Sequence, residues 1–148
     1  MHLHTNEIVH GCISPAHIFC EKERIILNGC GLHSMRKYLS LITGYTNKTM
    51  YTAIEHLRDK NNVILKAKKP ADVYSFGIIL YEIITKNRQY RQLSLREVVG
   101  KFAEENFRPK LPDQIRGEFK TLIRRCWHEN PERRPELEEV IDLLRRFS

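Results

Sequence analysis

The chain has 148 residues, 41% of them apolar and 29% charged, and a formal net charge of +7. That length suits one domain, 1–148, with a core of its own, and the balance excludes an intrinsically disordered chain. Much of the basic excess lies in three clusters, Lys66 with Lys68 and Lys69, Arg124 with Arg125, and Arg133 with Arg134. They read as solvated faces plus one structural arginine, and as a site for an acidic partner only second. Aromatic residues are not interleaved with them, which argues against nucleic acid.

Residues 1–12 look like the end of a helix followed by a tight loop, and the abrupt start suggests that upstream sequence is missing. Ile18-Phe19-Cys20 and Ile25-Ile26-Leu27 flank the charged residues 21–24, the pattern of a small β-hairpin, and Gly29-Cys30-Gly31 breaks it. From Leu32 to Thr52 no period is sustained, so a long mobile loop is expected. Its hydroxyls, Ser34, Ser40, Thr43, Tyr45, Thr46, Thr49, Tyr51 and Thr52, are candidates for phosphorylation. A short helix is expected over 53–59, and residues 60–62 carry a turn signal.

The stretch from Asp72 to Thr85 is the centre of the chain. Pro70 precedes it as a first-turn proline should, and Lys86 and Asn87 close it, with Asn87 suited to a left-handed cap. Val73, Phe76, Ile78, Ile79, Leu80, Ile83 and Ile84 cover most of its circumference, which predicts a buried helix. It is shorter than the roughly 20 apolar residues that cross a bilayer. Asp72 then faces the interior and needs hydrogen-bond donors.

Ser94-Leu95-Arg96-Glu97 is a capping box that opens a short amphipathic segment with Val98, Val99 and Phe102. The prolines of 107–112 make an extended connector. Phe119, Leu122, Ile123, Cys126 and Trp127 repeat at helical spacing, as do Leu137, Val140, Ile141, Leu144 and Phe147. Cys12, Cys20, Cys30 and Cys126 share no repeated spacing, and residues 1–12 lack a basic head and apolar stretch of the signal-peptide kind. Reduced thiols and a cytoplasmic setting follow, and there the glycosylation-type triplet Asn47-Lys48-Thr49 is chance.

Three spaced signals together resemble the C-terminal lobe of a protein kinase. Residues 72–77, Asp-Val-Tyr-Ser-Phe-Gly, look like the start of its buried helix. Residues 126–135, from Cys126-Trp127 to Arg134-Pro135, are similar to the Cys-Trp…Arg-Pro sequence of tyrosine and tyrosine-kinase-like kinases. Tyr51-Thr52-Ala53-Ile54-Glu55 resembles the Ala-Pro-Glu end of the activation segment. The resemblance implies a mainly α fold, a kinase C-lobe with a buried central helix and a small β-hairpin, the N-terminal lobe absent, and an activation-segment-like loop over 29–55. It implies structural roles for Asp72, which would hold the loop around His10, for the ion pair of Glu55 with Arg134, and for Trp127.

The family's catalytic residues are replaced. His10-Gly11-Cys12-Ile13-Ser14-Pro15-Ala16-His17 stands where kinases carry His-Arg-Asp-Leu-Lys-Pro-x-Asn, so Cys12 takes the place of the base, Ser14 of the lysine and His17 of the metal-binding asparagine. Gly29-Cys30-Gly31 aligns with Asp-Phe-Gly. No bound cofactor or metal is expected, and the chain reads as no enzyme but a pseudokinase, tyrosine-kinase-like. The approach to His10 resembles Raf and kinase-suppressor-of-Ras proteins. His-Gly is also seen in the mixed-lineage-kinase-like pseudokinase and in receptor guanylyl cyclase kinase-homology domains.

The expected activity is that of a scaffold or decoy for a protein partner, a kinase or kinase-regulated protein, with Val98, Val99 and Phe102 as the docking positions. Two alternatives stand beside it. The chain is a piece of a larger kinase-homology protein that binds nucleotide or regulates an attached domain, or it is a metal module using His2, His4, His10, His17, His33, Cys12, Cys20 and Cys30. The metal version lacks the short ligand spacings of structural zinc sites; without a metal, His10 is a core residue beside Asp72 and His2 and His4 are tail residues.

Overall fold

A computed structural model describes residues 2–22, 24–30, 50–58 and 68–147. Among these residues the architecture is mostly helical with one two-stranded antiparallel sheet, and the fold class expected from the sequence stands. Helix α1, His2–Thr5, leads through Glu7 in the left-handed region to the loop of His10. Strands β1, Ile18–Glu21, and β2, Arg24–Leu27, pair from Ile18 opposite Leu27 to Glu21 opposite Arg24. Helix α2 is shorter than expected, Ile54–Leu57. Residues 31–49, with Gly31, the hydroxyls of 34–49 and most of the activation-segment-like loop, lie outside the described residues. The C-terminal end of that stretch is core, not a mobile loop: Met50, Tyr51 and Ala53 are buried.

Helix α3, Lys69–Thr85, forms the centre. Pro70 in its first turn loses nothing by lacking an N–H, since that group has no partner inside a helix start. Residues from Ala71 to Ser75 and from Gly77 to Glu82 are buried, but Ile83 is 67% exposed, so the helix emerges from its wrapping in the last turn. The left-handed cap falls on Lys86, φ 55°, and not on Asn87. Asn87 instead accepts from Gln89 N through its side chain, an Asx turn that redirects the chain.

Ser94 caps α4, Leu95–Val98, as a capping box: its hydroxyl accepts from Glu97 N while the Glu97 carboxylate accepts from Ser94 N at 2.8 Å. The helix continues in π form over Val99–Glu104. Helix α5, Gly117–Cys126, packs along α3 at Gly77, where an added Cβ would sit 2.6 Å from the Cys126 Cβ. Helix α6, Leu137–Phe147, closes the lobe and sets Phe147 edge-on against Phe119, ring centroids 5.0 Å apart. Among the described residues no helix is long and apolar enough to cross a membrane.

Candidate functional site

The Asp72 carboxylate organises the N-terminal loop. His10 N donates to Oδ2 and Gly11 N to Oδ1, both at 2.8 Å, and His4 Nε2 donates to Oδ2 at 2.9 Å. Gly11 stands at φ 76°, a conformation that lets two successive N–H groups face one carboxylate without a Cβ penalty. A buried anion with three donors meets the requirement its position imposes. His4 is therefore not a tail residue. It is 3% exposed, and its Nδ1 is buried without a hydrogen-bond partner.

The His10 ring carries the bracing outward. Its Nδ1 accepts from Cys12 N at 3.3 Å, which makes Nε2 the protonated nitrogen, and Nε2 donates to Asn28 O at 2.8 Å. Cys12 is buried, and its thiol donates to Gly29 O at 3.6 Å. His17 Nδ1 lies 2.9 Å from Cys12 O, which only accepts, so Nδ1 is the protonated nitrogen there; Ser14 Oγ is 3.1 Å from it. His10 and His17 rings lie 5.9 Å apart. The structure thus gathers His10, Cys12, Ser14, His17 and Gly29, with the exposed Cys30 beside them.

The donors at positions 12 and 17 are sulfur and nitrogen. They do not fit magnesium, which takes hard oxygen ligands. Among the described residues no group of three His, Cys, Asp or Glu side chains is placed to hold a metal ion. His33, one member of the metal reading, lies outside them.

Glu55, in the first turn of α2, meets Arg134 in a two-pronged ion pair of 2.9 and 2.8 Å. Arg134 also donates to His128 O and Pro70 O, and its guanidinium lies over the Tyr74 ring at 5.1 Å. Burial pushes the Glu55 carboxyl up, but the Arg134 hydrogen bonds and charge outweigh it, and the net pKa is below the ordinary glutamate value. Trp127 is buried against Tyr81, centroids 5.8 Å apart, and its carbonyl accepts from Arg108 Nε.

The docking positions need correction. Val98 is 1% exposed and Phe102 is 0%, the latter wedged edge-on between Tyr90 and Phe107, so neither faces a partner. An amphipathic segment has one apolar face, and here the core takes it. Val99 is half-buried, and Leu95 is the exposed apolar residue of α4.

A second buried carboxylate was missed from sequence. Glu82 accepts from Tyr51 Oη at 2.9 Å on both oxygens and from Arg91 Nε and Nη2, the shortest at 2.6 Å. Tyr51 is thus a buried donor and not an open phosphate acceptor, and burial with the adjacent Glu82 charge pushes its phenol pKa far up. The signal was available: a glutamate inside an apolar helix needs donors for the same reason Asp72 does.

A family model described as protein tyrosine and serine/threonine kinase matches residues 1–144. A probable serine/threonine-protein kinase of Dictyostelium discoideum is 29% identical over 144 residues, covering 97% of this chain and 10% of that protein. The serine/threonine/tyrosine-protein kinase HT1 of Arabidopsis thaliana is 26% identical over 147 residues, 99% of this chain and 36% of its own length. The chain therefore spans only a minor part of the curated relatives it matches. Each of these relatives is named a kinase, which overturns the expectation that the chain is no enzyme: the replaced residues at 12, 17 and 29–31 do not take it out of an enzyme family. With the match running over nearly its full length, this chain belongs to the protein tyrosine and serine/threonine kinase family.

Proposed function

We propose that this lobe works in protein kinase signalling by binding a protein partner, a kinase or a kinase-regulated protein, in the cytoplasm, and that it falls in the tyrosine-kinase-like group. The observation that carries this reading is the Asp72 carboxylate with its three donors. Together with the Glu55–Arg134 pair it keeps the loop of His10 and the end of the 50–55 segment in one fixed arrangement, and a surface of fixed shape is what selective protein docking requires. The group assignment is supported by the Cys126-Trp127 to Arg134-Pro135 sequence. The exposed face of α4, with Leu95 at its start and Val99 beside it, is the docking face.

Affinity capture from cell extract with the whole chain, wild type against Leu95→Asp, tests the proposal. Leu95 is exposed, so the variant should melt like the wild type. Wild type is expected to retain a defined kinase or kinase substrate identified by mass spectrometry, and the variant to lose it. Equal recovery on both, or retention of nothing specific, would end this reading.

A further inference from the structure

Two loops distant in sequence meet beside the Asp72 brace. The first, 10–12, donates to the second through His10 Nε2 to Asn28 O and through the Cys12 thiol to Gly29 O at 3.6 Å. Gly29 is bonded to Cys30. In a trans peptide the carbonyl oxygen lies roughly 2.8 Å from the next Cα, which puts the Cys12 sulfur within about 6.5 Å of the Cys30 Cα. In a disulfide each sulfur stands roughly 4 Å from its partner's Cα, so from at most about 6.5 Å the exposed Cys30 has about 2–3 Å to close before the sulfurs meet.

The two thiols also differ in access. Cys12 is buried and Cys30 is exposed. Cys126 is no competitor: it is sealed in the contact of α3 with α5, and burial pushes its thiol up to about 12. Cys20 is exposed, on β1 opposite Ile25. None of the four is in a disulfide.

We propose that Cys12 and Cys30 are a redox pair, joined by peroxide into a reversible disulfide that locks the 10–12 loop to the exit of β2. The exposed Cys30 thiolate attacks an oxygen of hydrogen peroxide, breaking the O–O bond and leaving a sulfenic acid and hydroxide. The Cys12 thiol displaces the sulfenic oxygen as water while the S–S bond forms. Two thiols and one peroxide become one disulfide and two waters, and a reducing dithiol reverses the step.

The test treats the purified whole chain with hydrogen peroxide and maps its non-reduced peptides by mass spectrometry. Wild type and Cys20→Ser are expected to lose two hydrogens and yield a Cys12–Cys30 cross-linked peptide, erased by dithiothreitol. Cys30→Ser, a change at an exposed position that leaves the core alone, is expected to yield none. The cross-linked form should melt several degrees above the reduced form. A Cys30 that goes to sulfinic acid without cross-linking, that pairs with Cys20 or a second chain, or whose cross-link leaves the melting temperature unchanged overturns the proposal.

Discussion

Single side chains in this lobe act by satisfying one another across long stretches of sequence. His4 and Asp72 are 68 residues apart, and replacing His4 with leucine would roughly keep the volume while removing one of three donors from a buried carboxylate. Hydrogen bonds to charged groups are worth about 1.5–3 kcal/mol, so a loss of that size is expected in urea unfolding. Glu55 offers a sharper measurement. Its partner Arg134 has a side chain that is fully buried, and Glu55→Gln strands that cation at a cost of about 3–5 kcal/mol. Because the folded-state pKa of Glu55 lies below its unfolded value, the stabilisation is present above about pH 4.3 and is lost as pH falls through the folded value. Wild type should therefore lose stability on acidification below about pH 4.3 more steeply than Glu55→Gln; parallel curves would show that the pair does not carry the effect. Several exposed glutamates, Glu129 and Glu139 among them, are also held low by arginines, which is why the comparison with the variant matters.

Between elements the decisive feature is the close approach of α3 and α5. Alanine at position 77 would gain helix propensity of roughly 0.5–1 kcal/mol over glycine. Its Cβ would also collide at 2.6 Å with the Cβ of Cys126 and press on Trp127 N at 3.3 Å. Overpacking costs about 1–3 kcal/mol, so Gly77→Ala should destabilise the lobe by denaturant titration. Cys126→Ala keeps the offending Cβ and should not rescue it, whereas Cys126→Gly should in part. At α4, Ser94→Ala removes the capping hydroxyl and is expected to cost about 1 kcal/mol, read as a lower melting temperature. That outcome and an unchanged melt separate a cap that matters from a helix held only by Val98 and Phe102 underneath.

On the scale of the whole molecule, apolar surface is unevenly covered. Ile25 is 77% exposed, and Phe19, Ile26 and Leu27 beside it are exposed as well, so the hairpin presents grease to solvent, whereas α3 is buried over 71–75 and 77–82 and exposes Ile83 in its last turn. Exposed clusters of this kind drive association. The isolated chain is expected to self-associate with rising concentration in light scattering, and Ile25→Lys to reduce it without lowering the melting temperature.

What the residues alone determined is the local layer. Apolar residues all round the circumference between Pro70 and Asn87 located α3, apolar periodicity located α5 and α6, two short apolar runs around a charged turn located the hairpin, and the serine-glutamate spacing located the cap of α4, because each depends on neighbours within a turn or two. The pairings of His10 with Asp72 and of Glu55 with Arg134 were reached through family resemblance, since no local spacing links them. Tertiary structure alone decided that Val98 and Phe102 turn inward, that His4 joins Asp72, and that Tyr51 and Arg91 converge on Glu82. Periodicity says that a helix has an apolar face but not what will cover it, and a buried charge says that donors must come but not from where. Those choices belong to whichever groups the packed chain brings within hydrogen-bond distance.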